Sequence, residues 1–271
     1  MSGTSRIQDK FLELDSKNEK ALIAYTMVGY PNEKDTLTVI RGLIKGGADI
    51  IELGFPFSDP LADGLVIQNA SMISLERGTN LEQFFRLVRK IRQESDIPLV
   101  LMTYTNILYH QSYEKFFKEI KNAGIDGVIT PDMTIEESKG YLKAARNNAV
   151  DTIFLVSPNT DKKRLEKIIK HTTGFLYLVA VYGTTGVQNK IQQYTIDALR
   201  NTKKAANRKI PVGIGFGIST PDDARYFIKH GADAVIVGSA LIKMVEKTTS
   251  SKLEKTVIEF TKNLKNTTKV S

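Results

Sequence analysis

The hexapeptide Gly47–Glu52 reads GADIIE, and it recurs without gaps as GIDGVI at Gly124–Ile129 and as GADAVI at Gly231–Ile236. In each copy the glycine suits the end of a helix, the aspartate suits the turn that follows, and the apolar residues are typical of a buried strand. Because one helix–turn–strand unit recurs along the chain, the sequence predicts a repeated α/β architecture.

The rest of the chain shows the same alternation. Short apolar runs separate amphipathic helical patterns, and they lie at Ala21–Val28, Ile50–Gly54, Leu99–Tyr104, Gly127–Thr130, Asp151–Val156, Phe175–Val181, Val212–Phe216 and Ala234–Val237. Eight strand–helix units in 271 residues favour a closed (β/α)8 TIM barrel over an open doubly wound sheet. We predict a single barrel domain over residues 1–271, with an extra N-terminal helix around Ile7–Leu14. We also predict one long final helix from Leu241 to about Asn266, and a frayed end over 262–271.

The composition limits the class of function. Hydrophobic residues make up 41% of the chain, charged residues 25%, and cysteine is absent, which excludes disulfides and thiol nucleophiles. A formal charge of +8 suggests nucleic acid, but the cations are spread over the predicted helices and mixed with acids. We therefore expect either a small anionic substrate or a generally basic surface. The N-terminus has no apolar run of signal-peptide length, so we expect a cytoplasmic protein with no membrane contact.

One acid stands inside a predicted strand. The stretch Ile50–Asp63 reads IIELGFPFSDPLAD, and its Glu52 occupies the position that Ile129 and Ile236 hold in the other repeats. A carboxylate among apolar residues requires a partner or a functional role. A structural Glu paired with a buried cation is the alternative, but the predicted strands contain almost no Lys or Arg. A functional role for Glu52 is favoured, and Asp63 supplies a second acid eleven positions later.

Glycine-rich loops follow the last two predicted strands, at Gly213–Ile218 (GIGFGI) and Gly238–Ala240 (GSA). Glycines let backbone N–H groups approach an anion, and barrels often hold phosphate at these two loops. A third such loop, Tyr182–Gly186 (YGTTG), is either an ordinary flexible connection or a lid over a ligand. The histidines are not spaced as metal ligands, and no predicted strand offers a Schiff-base lysine.

The segment Glu52–Gly64, ELGFPFSDPLADG, resembles the hallmark segment of the tryptophan synthase alpha subunit family. Tyr25–Pro31 (YTMVGYP), Gly215–Ile218 (GFGI) and Gly238–Ala240 (GSA) resemble that family's motifs in the same order, so the resemblance covers essentially the whole chain. It implies a lyase that cleaves indole-3-glycerol phosphate to indole and glyceraldehyde 3-phosphate. It also implies an α2β2 complex in which the β subunit carries pyridoxal phosphate and receives the indole, with no cofactor in this chain.

The resemblance also implies roles for individual residues. Glu52 would act as general acid and base, Asp63 would stabilise charge at the indole nitrogen, and Tyr177 would lie near the reacting groups. Asp59 would serve loop closure and communication with the β subunit. We expect burial to raise the pKa of Glu52 while Asp63 stays ionised. The substrate-binding residues that the resemblance implies are Tyr104, Thr185, Gly186, Gly215, Phe216, Gly217, Gly238 and Ser239.

One segment departs from the family's pattern. Ala180–Gly186 reads AVYGTTG, where the family commonly has Ser-x-x-Gly-Val-Thr-Gly.

Two other functions are the alternatives. The first is another phosphate-binding barrel. It would need paired aspartates at the ends of strands one and five (an isomerase of the histidine pathway) or a strand lysine (indole-glycerol-phosphate synthase), and neither occurs here. A catalytically idle barrel that serves as a scaffolding or allosteric partner is the third reading, and the presence of both Glu52 and Asp63 argues against it.

Overall fold

A computed structural model describes residues 5–180 and 193–269, and its core is one parallel sheet. The strands are β1 (Ala21–Met27), β2 (Ile50–Gly54), β3 (Leu99–Met102), β4 (Gly127–Ile129), β5 (Asp151–Ile153), β6 (Leu155–Val156), β7 (Leu176–Val179), β8 (Val212–Gly215) and β9 (Ala234–Val237). They pair in the order β5-β4-β3-β2-β1-β9-β8-β7-β6. Nearly all strand residues are buried, as expected of a parallel sheet covered by helices.

The two ends of this order, β5 and β6, are separated in the chain by Phe154 alone. β5 pairs with β4, whereas β6 pairs with β7, and the backbone N–H of Tyr177 donates to the carbonyl of Phe154 at 3.0 Å. The predicted fifth strand, Asp151–Val156, is therefore divided into two short strands, and each of them pairs with one neighbouring strand. Together they close the sheet, which confirms the predicted (β/α)8 barrel.

Helices surround the strands, and the first of them confirms the predicted extra N-terminal helix. None of the described helices is long and apolar enough to cross a membrane. Their bounds are α1 (Arg6–Ser16), α2 (Glu33–Gly46), α3 (Leu65–Glu76), α4 (Leu81–Glu94), α5 (Thr105–His110), α6 (Tyr113–Ala123), α7 (Lys139–Asn147), α8 (Lys162–His171), α9 (Gln193–Ala206), α10 (Pro221–Lys229), α11 (Ser239–Glu246) and α12 (Ser250–Lys265).

The C-terminal part of the chain differs from the prediction in two ways. The single final helix is wrong, because α11 and α12 are separate; the hydroxyl of Thr248 donates to the carbonyl of Met244 at 2.7 Å just after α11 ends. The expected fraying is also wrong as far as residue 269. Thr268 is fully buried, and Lys269 forms an isolated antiparallel bridge with Glu19. The C-terminal segment therefore packs against the start of the barrel.

The aspartate of the repeated hexapeptide makes the same contacts in all three copies. Its carboxylate accepts the backbone N–H of the first or second residue of the neighbouring strand, and its own N–H donates to that residue's carbonyl. The pairs are Asp49 with Leu22, Asp126 with Leu99 and Asp233 with Val212, with carboxylate contacts of 2.7, 2.9 and 2.8 Å. This two-way link fixes the relative positions of adjacent strands at the N-terminal end of the barrel.

Asp126 also binds two cations, so we expect its replacement to destabilise the fold. It is 3% exposed and pairs with Arg92 at 2.6 Å and with Arg6 at 3.0 Å. Asp126→Asn leaves the largely buried Arg92 without its carboxylate, so the free energy of unfolding should fall by about 3 kcal/mol in urea unfolding. The matched control is Asp197→Asn, which loses only an exposed pair with Arg200 and should cost less than about 1 kcal/mol. Equal losses in the two variants would contradict this account.

Candidate active site

Glu52 lies in the middle of β2, in register with Tyr25 on β1 and Val100 on β3. It is 1% exposed, and its Oε2 has no hydrogen-bond partner among the described residues. This oxygen has therefore lost water without gaining a donor from the part of the chain that the structure describes. Burial first, and then the negative charge of Asp63, raise the pKa of Glu52 to about 8. At neutral pH this side chain is mostly protonated and can give a proton.

Asp63 lies at the end of the loop that joins β2 to α3. Its Oδ2 accepts a hydrogen bond from the hydroxyl of Tyr104 at 2.9 Å. Burial raises the pKa of Asp63 to about 6, and the hydrogen bond from Tyr104 opposes that rise. At pH 7 Asp63 is therefore mostly ionised while Glu52 is mostly protonated. Two neighbouring carboxyls with different protonation states are the arrangement expected of an acid and a stabilising anion.

Tyr104 holds the loop that carries Asp63. Besides donating to Asp63, its hydroxyl accepts the backbone N–H of Ala62 at 3.2 Å. The ring of Phe57, from the same loop, stacks on Tyr104 with centroids 5.0 Å apart. Ser71 on α3 exchanges two hydrogen bonds of 2.9 Å with the backbone of Phe57, so the loop is fixed from both sides. Tyr104 thus acts on the site through Asp63, and it is not among the residues that line the pocket.

The two acids face a pocket at the C-terminal end of the barrel strands. The structure brings most of the predicted site residues to this pocket, together with several that were not predicted. The lining residues are Tyr25, Glu52, Asp63, Ile67, Met102, Tyr177, Phe216, Gly217, Ile218, Ile236, Gly238 and Ser239. Apolar walls around two carboxyls suit an aromatic substrate with a few polar groups.

Gly215 lies beneath Tyr177 rather than on the pocket surface. A Cβ atom at position 215 would lie 2.3 Å from the Tyr177 hydroxyl oxygen, so only glycine leaves room for this phenol. The Tyr177 ring then meets the ring of Phe216 edge-on, with centroids 5.9 Å apart. Phe216 has a φ of 71°, a left-handed conformation that is strained for a bulky residue. Such strain is typical of segments whose conformation serves a site.

Two helix N-termini follow β8 and β9, and only one is open to an anion. At α10 a capping box satisfies the backbone N–H groups of Thr220 and Asp223, and the Asp223 carboxylate also accepts the N–H of Ser219. At α11 the N-cap residue is Gly238, which has no side chain to cap the helix, and both Gly238 and Ser239 line the pocket. Unused N–H groups and the positive end of the helix dipole make the start of α11 the better phosphate site.

The predicted residues Asp59, Thr185 and Gly186 remain. Thr185 and Gly186 fall outside the described residues. Asp59 is exposed on the loop after β2, where it accepts a hydrogen bond from Ser58 at 2.5 Å, and it does not line the pocket. Within the described ranges, no group of three or more His, Asp or Glu side chains could hold a metal ion.

Sequence reasoning missed several lining residues, of which Tyr25 and Ile236 carried a usable signal. Ile236 occupies the same position in its hexapeptide as Glu52, so its side chain faces the same interior. Tyr25 stands in the YTMVGYP motif, but its position opposite Glu52 depends on the register of β1 and β2. For Ile67, Met102 and Ile218 the sequence offers only apolar character.

Residues 11–270 match the family model described as tryptophan synthase alpha chain. The tryptophan synthase alpha chain of Carboxydothermus hydrogenoformans is 44% identical over 251 residues, which cover 93% of each chain. That of Methanosarcina barkeri is 40% identical over 262 residues, covering 96% of this chain and 97% of its own. Among solved structures, a chain of the Pyrococcus furiosus tryptophan synthase complex superposes with a TM-score of 0.84 at 35% identity, covering 91% of this chain and 98% of that one. A chain from Aquifex aeolicus reaches a TM-score of 0.89 at 35% identity, covering 98% of this chain and 100% of that one.

Proposed function

Because the chain belongs to the tryptophan synthase alpha chain family, we propose that Glu52 and Asp63 carry out that family's reaction, the retro-aldol cleavage of indole-3-glycerol phosphate. The products are indole and glyceraldehyde 3-phosphate, so the chain is a carbon–carbon lyase. The observation that carries the proposal is that the buried carboxyl of Glu52 and the half-buried carboxyl of Asp63 line one pocket. Their pKa values of about 8 and about 6 leave Glu52 mostly protonated and Asp63 mostly ionised at neutral pH. The reaction needs one group of each kind.

Glu52 delivers its proton to ring carbon C3, which turns the indole into a leaving group. Positive charge develops at the ring nitrogen, and the carboxylate of Asp63 stabilises it while accepting the indole N–H. Glu52, now ionised, removes the proton from the side-chain hydroxyl as the carbon–carbon bond breaks and the aldehyde forms. One proton is given and one is recovered, so Glu52 ends the cycle protonated.

The other residues position the substrate in this proposal. The N–H groups at Gly238 and Ser239 bind the phosphate at the start of α11, with Gly217 nearby in the same pocket. Phe216 and Tyr177 border the reacting part of the substrate, and Gly215 leaves the space that Tyr177 occupies. Tyr104 orients Asp63. Thr185 is proposed to contribute a lid contact, and Gly186 is proposed to form part of the phosphate site. For these two residues the support is the resemblance alone.

The chain is proposed to act as one barrel domain within a complex. The solved Pyrococcus furiosus relative is a tryptophan synthase complex, described as an a2b2 assembly. By analogy this chain binds a β subunit in an α2β2 heterotetramer, and pyridoxal phosphate resides in that partner, with no cofactor in this chain. The exposed carboxylate of Asp59 is available for the contact that couples the two. Since a charged phosphate ester does not cross a bilayer unaided, a cytoplasmic location follows from the proposed substrate.

The proposed function is tested by indole release from indole-3-glycerol phosphate, with the purified chain alone and with a tryptophan synthase β subunit. We expect slow release by the chain alone and a marked rise when the partner is added, since loop ordering completes such sites. A rate of indole release that is the same with and without the partner would contradict the coupling but would still support the lyase activity. Failure to form indole in both mixtures would overturn the proposal and leave the scaffolding alternative.

A further inference from the structure

Tyr25 lies beside both acids, yet the function proposed above gives it no role. It is 5% exposed, lines the same pocket, and is in register with Glu52 across β1 and β2. Its hydroxyl donates no hydrogen bond to any described residue. Because Tyr25 lines the pocket, its hydroxyl is placed to donate a hydrogen bond to a ligand bound there.

Gly54 makes room for the Tyr25 phenol. A Cβ atom at position 54 would lie 2.2 Å from the Tyr25 hydroxyl oxygen and 2.6 Å from Cζ, both closer than non-bonded atoms approach. The other end of the ring packs on Gly238, where a Cβ atom would lie 3.2 Å from Cδ1. The phenol therefore extends from the start of α11 towards β2, the strand that carries Glu52.

The same arrangement recurs at Tyr177. Tyr177 is in register with Gly213 on β8, and its hydroxyl lies over Gly215, two residues further along that strand. Tyr25 is in register with Glu52 on β2, and its hydroxyl lies over Gly54, again two residues further. Burial, followed by the charges of the two acids, raises the pKa of both tyrosines, so both stay protonated and can donate a hydrogen bond.

We propose that Tyr25 is a further substrate-contacting residue, whose hydroxyl donates a hydrogen bond to a hydroxyl of the substrate's glycerol segment. This inference rests on the proposed function. With the indole at Asp63 and the phosphate at Gly238 and Ser239, the two glycerol hydroxyls lie between these ends. The Tyr25 ring lies along the same part of the pocket. Because residue 54 is a glycine, there is room for the Tyr25 hydroxyl to reach the glycerol segment.

Tyr25→Phe removes only the hydroxyl oxygen and tests the proposal directly. We expect kcat/KM for indole-3-glycerol phosphate to fall about tenfold, the loss of one hydrogen bond to the bound substrate. Tyr25→Phe placed in a Glu52→Gln chain, in which turnover is strongly slowed, should weaken substrate binding in calorimetry relative to Glu52→Gln alone. A residue that only packs in the barrel would leave both quantities unchanged.

The matched control is Tyr141→Phe. Tyr141 is equally buried, at 1% exposed, but its hydroxyl donates to the carbonyl of Val128 and it does not line the pocket. This variant should lose stability and keep kcat/KM. Wild-type kcat/KM and substrate affinity in Tyr25→Phe would overturn the role of Tyr25. A wild-type chain that releases no indole overturns the proposed function instead, so the two failures are distinguishable.

Discussion

Glu52→Gln is expected to lower kcat for indole release by about 10²–10⁴-fold, because an amide can neither give nor take the proton. The substitution keeps the shape of the side chain, and it replaces a carboxyl that is itself mostly neutral near pH 7. The fold should therefore be retained. Steady-state indole formation at saturating substrate measures the loss. Glu94→Gln, which alters only an exposed pair with Arg41, should keep full activity. A wild-type rate of cleavage by Glu52→Gln would contradict the assignment of Glu52 as the general acid and base.

The same substitution should change how stability depends on pH. The pKa of Glu52 is about 8 in the folded chain against an ordinary value of 4.5, so between these values the folded state holds a proton that the unfolded state releases. Rising pH therefore favours unfolding, by up to about 1.4 kcal/mol per pH unit in that window. Glu52→Gln lacks this contribution, and its stability relative to wild type should increase from pH 5 to pH 8. Parallel urea-unfolding results for the two chains over this range would contradict a raised pKa.

Local signals in the sequence predicted most of the barrel. The glycines of the repeated hexapeptide have φ values of 91°, 111° and 99° at Gly47, Gly124 and Gly231, the left-handed conformation that ends a helix. Features that depend on distant partners were not predictable in this way. The division of Asp151–Val156 at Phe154 follows from which strand lies on each side of the barrel closure. The break between α11 and α12 contains neither Gly nor Pro, so no strong local signal marks it.

The site shows the same division between local and distant information. Glu52 could be singled out because an acid in a run of buried apolar residues violates the local pattern. The contact between Tyr104 and Asp63 joins residues 41 positions apart, and only the folded loop brings them together. The roles of Gly54 and Gly215 also required the structure, since the sequence gives Gly54 no role beyond ending a strand and predicts Gly215 as part of a phosphate-binding loop. Each glycine leaves space for a tyrosine of the adjacent strand: Tyr25 lies over Gly54, and Tyr177 lies over Gly215.

Asp63→Asn is expected to lower kcat/KM for indole-3-glycerol phosphate by about 10²–10³-fold. The amide keeps the size of the side chain, and its oxygen can still accept the hydrogen bond from Tyr104, so the loop should stay in place. What is lost is the negative charge that stabilises the cation at the indole nitrogen. Steady-state kinetics with Asp197→Asn as the control measures the loss, and that exposed position on α9 should show none. Wild-type kcat/KM in Asp63→Asn would contradict the role of this carboxylate.

The same variant tests the coupling between the two acids. The charge of Asp63 contributes to the raised pKa of Glu52, so Asp63→Asn should lower that pKa. Burial is the larger cause and remains, so the pKa should stay above its ordinary value of 4.5. A ¹³C NMR titration of the glutamate carboxyls measures this, with the signal of Glu52 assigned by its loss in Glu52→Gln. Asp197→Asn should leave that pKa unchanged. If Asp63→Asn also leaves it unchanged, the two carboxyls do not interact, and the raised pKa of Glu52 is due to burial alone.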